Sequence, residues 1–217
     1  MANQAIIFDF DGLILDTEAP QVDIWRELFA EQGVEFDLRR YVRIVGTFNS
    51  DVYRPEKHYA ELIGYRMSSA EIEQMVTEKL YENLMSEPLA KGVLKVLDEA
   101  ERRGIKTAVG SSSQRDWVEG HLRRFGLLER FAAVVTFDDV SESKPSPEIF
   151  QLALKRLGVR PENGLVLEDS QNGVLAAKRA EMRVVAVPNE VTCTMDFSQA
   201  DEILESLEDL DLDKYFD

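Results

Sequence analysis

Cysteine is almost missing from this sequence. Cys193 is its single example in 217 residues, which excludes an intramolecular disulfide and a cysteine-based zinc cluster. His58 and His121 are the only histidines, so a multi-histidine metal site is excluded as well. Basic residues are scarce relative to acids: 25 Lys and Arg stand against 41 Asp and Glu, a formal net charge of −16. That balance speaks against nucleic acid, whose phosphates call for clustered bases, and against anionic membrane surfaces. Nowhere does the chain approach the ~20 consecutive apolar residues of a membrane span. The opening stretch MANQAIIFDFDG has no basic region and its apolar run is cut at Asp9, unlike a signal peptide. The expectation is a soluble, cytoplasmic monomer without nucleic-acid or membrane partners.

What remains is an ordinary globular composition. Hydrophobic residues make up 44 %, too many for a disordered chain. A chain of this length buries about 70 % of its unfolded surface and needs neither disulfides nor structural metals to fold. The acid is unevenly spread. Residues 196–217 hold nine acids and one base, a net −8, half of the total excess. This segment is expected to be a solvated face or tail beyond the last strand.

Short aliphatic runs without polar alternation recur at Ala5–Phe8, Lys106–Gly110, Ala133–Phe137, Leu165–Leu167 and Val184–Val187. Such runs suit a parallel sheet covered on both faces. Helical patterns separate the later ones: Gly92–Arg103, Gln114–Phe125, Pro147–Leu157 and Asn172–Glu181, with Gly104, Gly126 and Gly158 placed as helix C-terminal glycines. The alternation predicts an α/β class, a doubly wound parallel Rossmann-like sheet. Strand one ends near Asp9 and the next run begins near Lys106, far more than the ~30 residues of one βα unit. The excess reads as helical at Val22–Glu31, Leu38–Ile44, Asp51–Leu62 and Ser69–Met85. An all-helical domain at residues 17–87, inserted into a core of residues 1–16 and 88–217, is expected.

Chemistry concentrates at the predicted strand ends, where open α/β sheets bind ligands. Asp9-Phe10-Asp11-Gly12 follows strand one, and Glu168-Asp169-Ser170 follows another buried strand. Clustered carboxylates repel, and a divalent cation with oxygen ligands, Mg²⁺ above all, is the usual remedy. Solvated acids and helix capping by Ser170 or Asp169 are the plainer alternatives. They explain one acid and leave both pairs over. Ser111 and Ser112, in Val109-Gly110-Ser111-Ser112-Ser113, end the second strand and open a helix, where hydroxyls and free N–H groups form an anion cradle or simply cap the helix. Lys144 lies between Ser143 and Pro145, held near the same edge.

DxDG, Ser, Lys and ED therefore arrive in order from four strands. With FDFDGLILDTE, VGSSS, SKPSPEIF and LEDSQNGVLAAKRAEM, the chain resembles the haloacid dehalogenase-like superfamily over nearly its whole length, in the branch with a helical cap after the first motif. That branch includes β-phosphoglucomutase and sugar-phosphate phosphatases. The resemblance implies a small phosphorylated substrate, Asp9 as nucleophile and Asp11 as general acid and base. It implies phosphoryl oxygens bound by Ser111, Ser112 and Lys144. Mg²⁺ would be held by Asp9, Asp11 through its backbone carbonyl, Glu168 and Asp169. Asp11 separates the chain from the dehalogenases, which lack this acid. In the mutase pattern a histidine stands where this chain has Gln21 and a phosphate-binding arginine where it has Asn49. Both absences favour hydrolysis through an aspartyl-phosphate over the alternative, sugar-phosphate mutase action. Gln21, Thr47, Asn49 and Lys79 are the candidate specificity residues of the cap, with Lys79 a partial substitute for the missing cation. A non-enzymatic binding module is the remaining alternative, against which all filled catalytic positions count.

Overall fold

The computed structural model describes residues 3–48 and 51–216; Asn49 lies outside them. In chain order the regular elements are β1 (Ala5–Phe8), α1 (Glu18–Glu31), α2 (Leu38–Tyr41), α3 (Pro55–Leu62), α4 (Ser69–Leu84), α5 (Val93–Arg103), β2 (Lys106–Gly110), α6 (Arg115–Arg124), β3 (Ala133–Val135), α7 (Glu148–Leu157), β4 (Gly164–Glu168), α8 (Gln171–Arg179), β5 (Arg183–Ala186) and β6 (Glu202–Ile203). All six strands run parallel in the order β3-β2-β1-β4-β5-β6. The α/β class with a parallel, Rossmann-like sheet is thus observed.

The absence of polar alternation in β1 has a direct cause. Ile6 and Phe8 pack into one apolar cluster with residues of α5 and α6, such as Leu97 and Leu122. Ala5 and Ile7 point the other way, into a second cluster with Phe150 and Leu154 of α7 and Val174 of α8. Successive side chains of a strand alternate between faces, and here both faces are covered. The connection order reverses between β1 and β4, so a crevice opens at their carboxyl ends.

Four helices occupy the chain between β1 and α5. Their shared core is aromatic: the rings of Trp25 and Phe36 stack at 6.4 Å, and Phe29 meets Phe36 edge-on at 5.3 Å. The α4 N-terminus is capped by Ser68, whose side chain accepts from the Glu71 N–H at 3.2 Å while Glu71 accepts from the Ser68 N–H at 2.7 Å. This reciprocal box closes the N-terminus of a helix that begins at Ser69, where the sequence pattern places it. The returning chain is stitched to the outgoing one by Ala90 N–H donating to the Ile14 carbonyl at 3.0 Å.

The acidic C-terminal segment corrects an expectation. It adds a sixth strand and packs Leu207, Leu210, Leu212 and Phe216 into the core as buried residues. Its acids stay outside, several of them paired: Asp201 with Lys178 and Glu202 with Lys214. Charge density hid an apolar residue at every second or third position. No helix among the described residues is long and apolar enough to cross a membrane.

Candidate active site

Three buried carboxylates converge where β1 and β4 end. Oxygen atoms of Asp9, Glu168 and Asp169 all lie within 4.8 Å of one another. Register explains the meeting: Phe8 is paired with Leu167, and the Asp9 N–H continues the ladder to the Leu167 carbonyl at 2.9 Å. The next residue of each strand therefore reaches the same edge. Lys144 spans two of the acids, its Nζ donating to Asp9 Oδ1 and Glu168 Oε1 at 2.6 Å each, with no side-chain exposure.

One cation does not neutralise three buried acids. Burial pushes the Asp9 carboxyl up to about 8, helped by the Glu168 charge and opposed by Lys144. Asp169 is also raised well above the usual carboxylate range, by burial and then by Asp9 and Glu168. The Lys144 pKa is raised, the two carboxylates overcoming burial. Asp169 Oδ1 is buried without a hydrogen-bond partner among the described residues. Excess charge, an all-oxygen donor set and an orphaned carboxylate oxygen fit a hard divalent cation.

The surrounding chain is shaped to this cluster. Glu168 Oε2 accepts from the Asp169 and Ser170 N–H groups at 3.1 and 3.2 Å. Gly173 lies against the same carboxylate, where a Cβ would sit 1.8 Å from Oε1. Gly12 turns with φ +74°, and a Cβ there would lie 2.2 Å from Asp169 Oδ2. Ser170 is the N-cap of α8, its Oγ accepting from Gly173 N–H at 3.1 Å. The capping reading thus holds for the serine and leaves both acids for the cluster. Asn189 Nδ2 donates to Asp169 Oδ2 at 2.7 Å and to the Gly12 carbonyl at 3.3 Å. No spacing marks this role, because a lone Asn in a loop reads only as turn chemistry.

Asp11 faces away from the buried triad. Its Oδ2 accepts from Ser113 Oγ at 2.6 Å and Ser111 Oγ at 3.3 Å, and its Oδ1 from Trp117 Nε1 at 2.8 Å. The Asp11 carboxylate is absent from the cluster, so the group left to serve a metal is its backbone carbonyl, the one expected from the sequence. Ser112 donates instead to the Gly46 carbonyl of the helical insert at 2.9 Å. It tethers insert to core, so its hydroxyl is already committed there.

Asp9 and Asp11 line a cleft of about 320 Å³ roofed by the insert. Gln21, Thr47 and Trp25 line it, as do Ser111 and Ser112. Trp25 is at the same time core, 3 % exposed. Lys79 is not brought there: its Nζ pairs with Glu27 at 2.5 Å on an exposed face, while its neighbour Leu80, and Val76 about one turn before it, do reach the cleft. Among the described residues the cation lining the cleft is Arg54, ion-paired with Glu56. Glu18 was also missed. It is buried at the start of α1, its Oε2 lacks a partner among the described residues, and its carboxyl is pushed up to about 8 by burial, then by Asp11 and Asp9.

Residues 6–187 match the family model described as haloacid dehalogenase-like hydrolase. The chain is 42 % identical over 209 residues to YhcW of Bacillus subtilis (strain 168), covering 96 % of this chain and 94 % of that protein. It is 32 % identical over 182 residues to the fructose-1-phosphate phosphatase YqaB of Escherichia coli (strain K12), covering 84 % and 95 %. Among solved structures, CbbY from Rhodobacter sphaeroides in complex with phosphate superposes with a TM-score of 0.75 at 32 % identity, covering 97 % of this chain and 96 % of that one.

Proposed function

Because the chain belongs to the haloacid dehalogenase-like hydrolase family, we propose that it is a Mg²⁺-dependent phosphatase of small phosphate monoesters, sugar phosphates in particular. The observation that carries the reading is the buried Asp9, Glu168 and Asp169 cluster bridged by Lys144, opening onto a cleft that also presents Asp11. A cleft of about 320 Å³ suits a small monoester. Residues 17–87 form the cap over a core of residues 1–16 and 88–217.

Asp9 attacks phosphorus in line, forming a carboxylate oxygen–phosphorus bond as the ester oxygen leaves. Asp11 gives that oxygen its proton. In the second half, Asp11 takes a proton from water as the water oxygen bonds to phosphorus and the Asp9–phosphorus bond breaks. Phosphate is released, and both aspartates return to their starting states. Lys144 and the Ser111 hydroxyl lie where charge on the transferring group is stabilised, usually the largest contribution to rate. Asp9, Glu168, Asp169 and the Asp11 carbonyl would hold Mg²⁺, which would supply the positive charge that lets an anionic ester approach these carboxylates. Lys144 places its charge between Asp9 and Glu168, which favours the Asp9 anion against its burial.

Hydrolysis is preferred over the mutase alternative: YqaB is named a phosphatase, and neutral Gln21 lines the cleft where mutase chemistry expects a histidine. The test is inorganic phosphate release with Mg²⁺ from a panel of fructose 1-phosphate, glucose 6-phosphate, β-glucose 1-phosphate, glycerol phosphate and p-nitrophenyl phosphate. Turnover of at least one sugar monophosphate, lost in Asp9→Asn, is expected. Conversion of β-glucose 1-phosphate to glucose 6-phosphate without phosphate release would overturn the assignment.

A further inference from the structure

Asp11 is held by donors on both of its oxygens, all from residues 111–117. Two of them, Ser111 and Ser113, are hydroxyls that rotate about their own C–O bonds and can accept as well as donate. The third is the Trp117 indole N–H, at 2.8 Å from Oδ1. An indole donates only, and in a direction fixed by the plane of its ring.

That plane is set by ring packing from two sides, one of them backed in turn by Phe10. His121, one turn further along α6, meets the Trp117 ring edge-on with centroids 4.6 Å apart, the neighbour relation of i and i+4 on a helix. Behind it, Phe10 stacks on His121 at 6.0 Å, so the segment that carries Asp9 and Asp11 backs the same stack. From the insert, Tyr81 of α4 approaches Trp117 at 6.4 Å and His121 at 5.4 Å. Burial and then the Arg124 charge push the His121 pKa down, against the pull of Asp11, which disfavours a charge on the ring supporting the indole. Neither His121 nitrogen has a hydrogen-bond partner among the described residues. The histidine acts here as an aromatic wedge.

We propose that Trp117 is a positioning residue for the reaction: its indole N–H fixes the Asp11 carboxylate in the cleft, and packing of α4 against the ring makes that position depend on the insert. The inference rests on the proton-transfer role given to Asp11 above. It extends that role to a residue whose hydrogen bond is to the Asp11 side chain and not to the Asp9, Glu168 and Asp169 cluster.

Trp117→Phe keeps a ring against His121 and Tyr81 and removes the N–H. Benzothienylalanine at position 117, isosteric with Trp but without the N–H, provides the same test should the smaller ring disturb folding. Both are compared with the wild type on p-nitrophenyl phosphate, whose leaving group departs as an anion, and on the fastest sugar monophosphate of the panel, whose leaving oxygen needs a proton. On the sugar phosphate, kcat should fall about tenfold or more, as for loss of one hydrogen bond to a charged group, with KM within about twofold of wild type. The p-nitrophenolate burst, which reports phosphorylation of the enzyme alone, should change less than about twofold. In an Asp11→Asn background the Trp117 substitution should add nothing, since the two act as one unit. A rise in KM at unchanged kcat, equal losses in the p-nitrophenolate burst and in kcat on the sugar phosphate, or the same loss persisting with Asp11→Asn would overturn the proposal. A wild type that hydrolyses no monoester would overturn the phosphatase reading instead, so the two failures are told apart.

Discussion

The buried carboxylates make a quantitative prediction about metal, proton and stability together. In the unfolded chain Asp9 has an ordinary carboxyl pKa of 3.8, and in the fold burial and Glu168 push it up to about 8. Between those values the folded protein holds a proton that the unfolded chain has released. Stability in EDTA must therefore fall as pH rises from about 4 to about 8. A divalent cation removes the cause of this loss but has to displace the same proton. With the carboxyl at about 8, the apparent affinity should be about 50-fold weaker at pH 6 than at pH 8. A Mg²⁺ concentration of about 100 times Kd at pH 8 stabilises the fold by about 2.7 kcal/mol, and the same concentration at pH 6 by only about 0.6 kcal/mol. For a chain of this size the corresponding rises in Tm are about 5–10 °C and about 1–3 °C. Thermal unfolding by circular dichroism, with and without Mg²⁺ at the two pH values, measures both. An equal shift at both, or a larger one at pH 6, would refute the assignment of the cation to this carboxylate cluster.

Lys144→Met removes the cation that, among the described residues, touches Asp9 and Glu168 and should cost about 3–5 kcal/mol in urea denaturation at pH 8. The loss should shrink toward pH 5, where protonation of Asp9 relieves the repulsion. Gly173→Ala places a Cβ 1.8 Å from Glu168 Oε1. It should lower stability by about 1–3 kcal/mol and abolish the Mg²⁺-dependent part of the Tm shift. Asn189→Ala frees Asp169 Oδ2 of its 2.7 Å donor, and isothermal titration should show Mg²⁺ binding weakened about 10–100-fold.

Much of the core was legible because its signals are local. Four strand-end clusters, Asp9 with Asp11, Ser111, Lys144, and Glu168 with Asp169, lie next to runs whose polarity is written in consecutive residues. The cap side was less legible. Lys79 was placed by charge alone, yet its helix turns it toward Glu27 on the exposed face. Arg54 reaches the cleft from a loop between helices, where no periodicity signals direction. Trp117 and Asn189 act on Asp11 and Asp169 across sequence separations of 106 and 20 residues. A side chain's hydrogen-bond partner at that distance is a property of packing and leaves no mark in spacing.

By itself, the sequence determined the chemistry on offer. One cysteine and two histidines left oxygen ligands as the available metal donors. Apolar runs followed by acids fixed which ends of the sheet would carry charge, because strand length and side-chain alternation depend only on near neighbours. Tertiary structure decided how those charges share space. Register between β1 and β4 brings three acids within 4.8 Å, and burial turns ordinary carboxyls into ones that hold protons or a cation. It also gave the acidic C-terminal segment a packed face, since its leucines find the core only once the sheet exists to receive them. Burial and like-charge proximity are collective quantities, fixed by the whole fold and by no single residue within it.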